Sequence, residues 1–293
     1  MAKAKTRYVC TNCGQSFPKW QGQCSGCNEW NTLEMEVEQP AAKRMPVITS
    51  GSTSVIQTLD EVDAEYSKRW PTGIDVFDEL IGGGLVPGGI TLIGGEPGVG
   101  KSTFMLQLIS RLGVNIKPVA YISGEESATQ IKLRADRLRI GNGKDIFLVS
   151  EQNLDSALNG LASYLPRMLV VDSIQTVYTP QIEATPGSVS QIRECAAIIT
   201  KYGKDRGLPV FIVGHVTKEG TIAGPKSMEQ MVDTVISFER NNDDIRFLHA
   251  QKNRFGSVDE LGIFSMTEQG LIPMNDPSSL FLTKRTDKQP AGV

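Results

Sequence analysis

The sequence has no excess of positive charge. Its 30 Lys and Arg are outnumbered by 33 Asp and Glu, giving a formal net charge of −3. The whole-molecule balance therefore gives no support for nucleic-acid binding, and any basic surface must be local. It also lacks a long hydrophobic run. No stretch approaches the ~20 apolar residues of a membrane span, and the opening MAKAKTRYVC holds no apolar core for a signal peptide. Nor is there a disulfide framework: four of the five cysteines sit in two close pairs near the N-terminus. Without a secretion signal, that pairing reads as metal ligation in a reducing compartment, so a cytoplasmic protein is expected. No internal repeat is visible. What is present is ordinary for a globular chain, with 40% hydrophobic and 22% charged residues. A length of 293 residues leaves room for one full-sized core and a small satellite.

Composition divides the chain. Residues 1–34 are dense in Cys, Gly, Gln, Asn and Trp and too short for a conventional core. Residues 35–58 carry Pro, Ser, Thr and scattered charge without periodicity, as a linker does. Residues 59–275 change to short Val- and Ile-rich runs at 90–94, 119–123, 146–149, 168–172, 209–213 and 234–238. Such runs, bounded by Gly, Pro or Asp, fit strands buried on both faces of a parallel sheet. Stretches 102–112, 127–140, 154–165 and 188–206 read as helices. The alternation predicts an α/β fold with helices on both faces of a mainly parallel sheet. Residues 276–293 are expected to be a frayed tail.

Cys10-x-x-Cys13 and Cys24-x-x-Cys27 are separated by ten residues. Each pair on a tight turn lets two thiolates face one ion, and two turns complete a tetrahedral site. Gly14 and Gly26 stand where those turns must open. Zinc is the expected metal because nothing else suggests redox chemistry, although four sulfurs alone also suit iron. With every position taken by protein, the metal is structural. Trp20 and Trp30 are expected in the module's core, the alternative being a surface for a partner. Cys195 reads as a packed small residue.

Residues Gly95, Glu96, Pro97, Gly98, Val99, Gly100, Lys101, Ser102 and Thr103 complete the pattern G-x-x-x-x-G-K-[ST]. It follows a predicted strand and opens a predicted helix, the context that makes it a phosphate-binding loop for ATP. Loop N–H groups and the helix N-terminus surround the β-phosphate. Lys101 neutralises phosphate charge and the Ser102 hydroxyl ligates Mg²⁺. Asp172, closing the apolar run MLVVD, is the expected acidic partner for that ion. The run VAYIS leads into Gly124-Glu125-Glu126. One of these carboxylates, Glu125 preferred over Glu126, is expected to activate the attacking water.

These motifs together resemble the bacterial RadA/Sms DNA repair and recombination proteins, relatives of RecA and of DnaB-type helicases. The resemblance runs from the cysteine knuckles to about residue 282 through TGIDVFDELIGGGLVPGG, GEES, VVDSIQ, VGHVTKEGTIAGPK and K-N-R-F-G. It implies a RecA-like ATPase that assembles as a homo-hexameric ring and threads single-stranded DNA. The implied activity is translocation for branch migration of recombination intermediates, with RecA a further candidate partner. Lys252 and Arg254 are then implied to reach a neighbouring subunit's γ-phosphate, and His215 to act as a polar sensor between nucleotide and DNA loop. DNA contacts are implied for Lys218 and Lys226 in the segment 217–226, and for Tyr178, which stacks on a base or packs; Arg193 is a further phosphate contact. Such contacts would follow the backbone without reading bases. Family members usually continue into a domain resembling the Lon protease substrate domain. The sequence ends at Val293, so that domain is expected to be absent from it, either by truncation or by nature. The alternative function is an ATP-gated scaffold that recruits partners through the zinc module.

Overall fold

A computed structural model describes residues 5–38, 58, 69–141, 143–215, 226–241 and 244–274. The stretch read as a linker falls largely outside these residues, as does the tail. So does Lys218 in the segment after His215.

The N-terminal module is a three-stranded antiparallel ribbon of β1 (Lys5–Cys10), β2 (Ser16–Phe17) and β3 (Leu33–Glu38), in the order β2-β1-β3. Strand β3 runs four residues into the stretch read above as the start of the linker. Register pairs Cys10 with Leu33 and Arg7 with Glu36. Its small core holds Cys10, Cys24 and Leu33. Cysteine clustering therefore takes the place of an apolar interior that so few residues cannot build.

The larger unit is built on one nine-stranded sheet. Its parallel strands are β4 (Ile90–Gly95), β5 (Val119–Ser123), β6 (Ile146–Ser150), β7 (Met168–Asp172), β8 (Val210–His215) and β9 (Thr234–Arg240). The antiparallel strands β10 (Ile245–Asn253), β11 (Leu261–Thr267) and β12 (Gly270–Pro273) extend it. The order is β12-β11-β10-β9-β4-β8-β7-β5-β6. All six apolar runs predicted from sequence are strands. The last three strands were not predicted, because β10 alternates buried and half-exposed residues with polar ones between them and lacks the continuous apolar signal.

Alternation along each strand sends side chains to two cores. Val119 and Tyr121 join one cluster with α1 (Asp75–Leu80), α2 (Lys101–Arg111) and α3 (Ala128–Arg137). Ala120 and Ile122 join the other with α4 (Leu154–Gly160), α5 (Val189–Arg206) and α6 (Lys226–Met231). The first core centres on Phe104, whose ring lies 5.0 Å from Phe77, 5.5 Å from Phe264 and 5.9 Å from Phe238, all edge-on. Helix α3 starts at Ser127 with a capping box closed by Gln130. Helix α4 is shorter than expected: Gly160 ends it and one 3₁₀ turn follows.

Candidate functional site

Strands β4, β5, β7 and β8 all end at one edge of the parallel sheet, where loops can converge on a ligand. From β4 the chain turns through Gly98 and Gly100, with φ of 78° and 115°, into α2. A Cβ on Gly95 would lie 2.4 Å from the Phe238 carbonyl oxygen, so only glycine fits between the loop and β9. Lys101 is buried, and its Nζ donates to the Gly95 and Glu96 carbonyls at 2.7 and 2.9 Å. Burial lowers its pKa against the opposing pull of Asp172, Glu125 and Glu96. Val99 points into the core, and its carbonyl accepts from the buried Arg246 Nε at 2.9 Å. Its part in the loop is thus made through the backbone.

The loop opens on a cavity of about 260 Å³ lined by Lys101, Ser102, Thr103, Ser123, Glu125, Glu126, Arg134, Asp172 and His215, with Pro97, Gly98 and Gly100. Asp172 is buried, which raises its pKa, and its Oδ2 accepts a hydrogen bond from the Tyr121 hydroxyl, while Ser102 lines the cavity beside it. A hydroxyl and a carboxylate meeting beside phosphate-binding N–H groups are the oxygen donors that Mg²⁺ takes. The residues fit that ion, with Ser102 and Asp172 on its protein side.

The two glutamates part company here. Glu125 Oε1 accepts from Ser173 Oγ at 2.6 Å and lies 3.1 Å from His215 Nε2. The His215 hydrogen bond leads the causes that hold Glu125 down to about 2, with burial opposing and Ser173 assisting. Glu126 instead forms a two-pronged ion pair with the Arg134 guanidinium from α3, one prong at 2.7 Å. Neither Arg134 nor Ser173 was anticipated. Arg134 carries no local signal, since it reaches the cavity only through the helix after the glutamates. The Nδ1 of His215 is buried without a partner among the described residues.

Lys252 and Arg254 lie elsewhere. Lys252 on β10 donates to the Glu229 and Val232 carbonyls at 2.8 and 2.7 Å, closing the C-terminal end of α6. Arg254 Nη1 is 3.1 Å from Asp233 Oδ1, which Lys204 also approaches at 3.3 Å. Asp233 in turn accepts from the Ile90 N–H at 3.0 Å. Both cations therefore sit at the start of β4, about 16 Å of strand from the phosphate loop at its end. Arg193 is exposed on α5. Tyr178 is half-buried and lines a second cavity beside Glu125 and Glu126. Lys226 opens α6.

The four ribbon cysteines bring their Sγ atoms within 4.8 Å of one another. Cys13 and Cys24 are 3.4 Å apart and Cys10 and Cys27 3.7 Å. Thiolates about 2.3 Å from a tetrahedral zinc lie about 3.8 Å apart, so the set fits that ion. N–H groups of Cys13 and Gly26 point at Cys10 and Cys24 sulfurs, each at 3.4 Å. Trp20 and Trp30 are 56% and 66% exposed, which overturns their expected place in the module's core: cysteines fill that interior. Cys195 is buried on α5, as expected. The ribbon also touches the larger unit. Glu36 accepts from the Ser190 hydroxyl at 2.8 Å and from its N–H at 3.4 Å, with Arg7 3.2 Å from the same hydroxyl. A carboxylate thereby meets the positive first turn of α5.

The KaiC ATPase family matches residues 70–146. A zinc-ribbon family described as a rubredoxin metal binding domain matches residues 8–35. The chain is 45% identical to the DNA repair protein RadA of Pseudomonas aeruginosa over 100% of its own length and 65% of that protein's. It is 46% identical to the Bacillus subtilis protein of the same name, over 98% and 63% respectively. The chain thus spans a little under two thirds of these relatives. A KaiC-like protein of Pyrococcus horikoshii shares the fold at TM-score 0.58 and 22% identity, over 71% of this chain and 99% of that one. The RadB recombinase shares it at TM-score 0.54 and 20% identity, over 69% and 98%. The fold is RecA-like, preceded by a four-cysteine zinc ribbon.

Proposed function

Over the length that it spans, the chain belongs to the RadA family of DNA repair proteins, and from that premise we propose that it hydrolyses ATP at sites shared between neighbouring subunits of a homo-hexamer and couples hydrolysis to movement along single-stranded DNA. Branched recombination intermediates are the proposed substrate, and the cytoplasm the proposed compartment. Among the described residues no helix is long and apolar enough to cross a membrane.

The observation that carries the reading is the division of charges along β4. The phosphate loop, Asp172 and Glu125 gather at the strand's end, whereas Lys252 and Arg254 sit at its start. A phosphate in the first place is out of their reach within one subunit, which supports a role at a neighbour's. Cations set against developing phosphate charge are the largest help this chemistry receives. In this reading Lys101 holds the phosphates and the Gly95–Thr103 loop surrounds them. Mg²⁺, when bound on Ser102 and Asp172, neutralises charge between the β- and γ-phosphates. Glu125 orients and deprotonates water, being the glutamate not committed to an arginine. The Glu125–His215 contact supports a sensor role for His215, which leads directly into the segment proposed with Lys218 and Lys226 to meet DNA.

Mixing tests the shared site. Lys252→Ala and Lys101→Ala chains should each be inactive alone; combined, they should regain part of the DNA-stimulated phosphate release at hybrid interfaces. No recovery at any ratio would count against catalysis across subunits. The exposed Trp20 and Trp30 favour a second reading for the ribbon, recruitment of a protein partner such as RecA. That reading gains if DNA leaves the ATPase rate unchanged and no annealed strand is displaced.

A further inference from the structure

We propose that Tyr121 is the positioning residue for the magnesium-binding carboxylate, its hydroxyl holding Asp172 in the orientation that serves the ion. The inference rests on the ATPase reading above. Tyr121 stands on β5 opposite Val170 of β7, with Asp172 two residues farther along that strand. The two side chains are therefore diagonal neighbours on one face of the sheet. The phenol is 1% exposed and its oxygen donates to Asp172 Oδ2 at 2.5 Å.

The rest of β5 before Ser123 is Val119, Ala120 and Ile122, so packing alone asks for an apolar side chain here. A buried hydroxyl is costly unless it is bonded, and phenylalanine would fill nearly the same space without that cost. The hydroxyl instead spans from the apolar core to the buried carboxylate of Asp172 at the cavity. Anchored through Oδ2 by this hydroxyl, Asp172 has less freedom to turn away from the cavity. Outer partners of this kind orient metal ligands, and their loss costs roughly 10-fold or more in metal affinity.

The test is Tyr121→Phe in the full chain, read by binding of a fluorescent ADP analogue in EDTA and across a Mg²⁺ titration. Affinity in EDTA should match the wild type, which also shows that the pocket is folded. The Mg²⁺ concentration for half-maximal tightening should rise roughly 10-fold. Asp172→Asn serves as the reference and should abolish the Mg²⁺ effect. If Asp172→Asn loses the effect while Tyr121→Phe titrates like the wild type, the tyrosine merely satisfies its own hydroxyl and the inference falls. Weaker binding of Tyr121→Phe in EDTA would overturn it too, because the residue would then be supporting the whole pocket. If Asp172→Asn itself keeps the full Mg²⁺ effect, it is the ATPase reading of this site that fails.

Discussion

Replacing His215 with alanine should speed unstimulated ATP hydrolysis. Glu125 is held at about 2 against an ordinary 4.5, and the hydrogen bond from His215 is the first cause. A carboxylate so stabilised is a poor acceptor for a proton from water. The difference corresponds to about 3 kcal/mol in full. The Glu125 side chain is 41% exposed and Ser173 shares the effect, so screening leaves about 1 kcal/mol for the imidazole. That is roughly five-fold in rate. The assay is phosphate release at saturating ATP and neutral pH without DNA, for His215→Ala alone and combined with Glu125→Gln. The single variant should run about five-fold faster than wild type and lose most of its stimulation by single-stranded DNA. The double variant should be inactive. The pH profile carries the same sign. In the wild type Glu125 stays ionised down to about 2; in His215→Ala its protonation moves up toward the ordinary glutamate value. The variant's rate should therefore begin to fall as pH drops toward 4.5. Slower or unchanged turnover in His215→Ala, with nucleotide still bound, would refute a restraining role for the imidazole.

Glu125→Gln should lower turnover by roughly 10²- to 10⁴-fold with nucleotide affinity kept. Glu126→Gln should instead loosen Arg134 and weaken nucleotide binding, as separate binding and single-turnover measurements would show. Chelation of zinc or Cys24→Ser should release the ribbon's Cys10–Leu33 register and with it the Glu36 contact to α5. Hydrogen exchange should then quicken at Ser190 and its neighbours while nucleotide binding persists; unchanged protection there would mean that the contact does not depend on the metal. Phe104→Ala should destabilise the larger unit by about 3–5 kcal/mol, seen in denaturant unfolding with an unchanged slope. A loss under about 1 kcal/mol would mean that the surrounding rings collapse into the space, against the rigid edge-on packing described.

The parts of this protein legible in its sequence are those whose chemistry is written in a few adjacent residues. The phosphate loop lies within Gly95–Thr103, because a helix N-terminus and its turn are local objects. The parallel strands were legible because burial on both faces demands unbroken apolar runs. The cysteine pairs were legible because each knuckle closes on itself. Tertiary structure decided the rest, since it turned on groups brought together from distant strands. Glu125 and Glu126 are adjacent and alike in sequence, and only the meeting with His215 and Ser173 on one side and Arg134 on the other separates them. The pattern K-N-R-F-G displays two cations, but not that they lie a full strand length from their own phosphate loop. Apolar character points Trp20 and Trp30 to a core that Cys10, Cys24 and Leu33 already fill. Tyr121 looks like one more residue of a buried strand until β7 is laid beside it. Local physics names the ligand-binding loop; which side chains serve it depends on the register between strands.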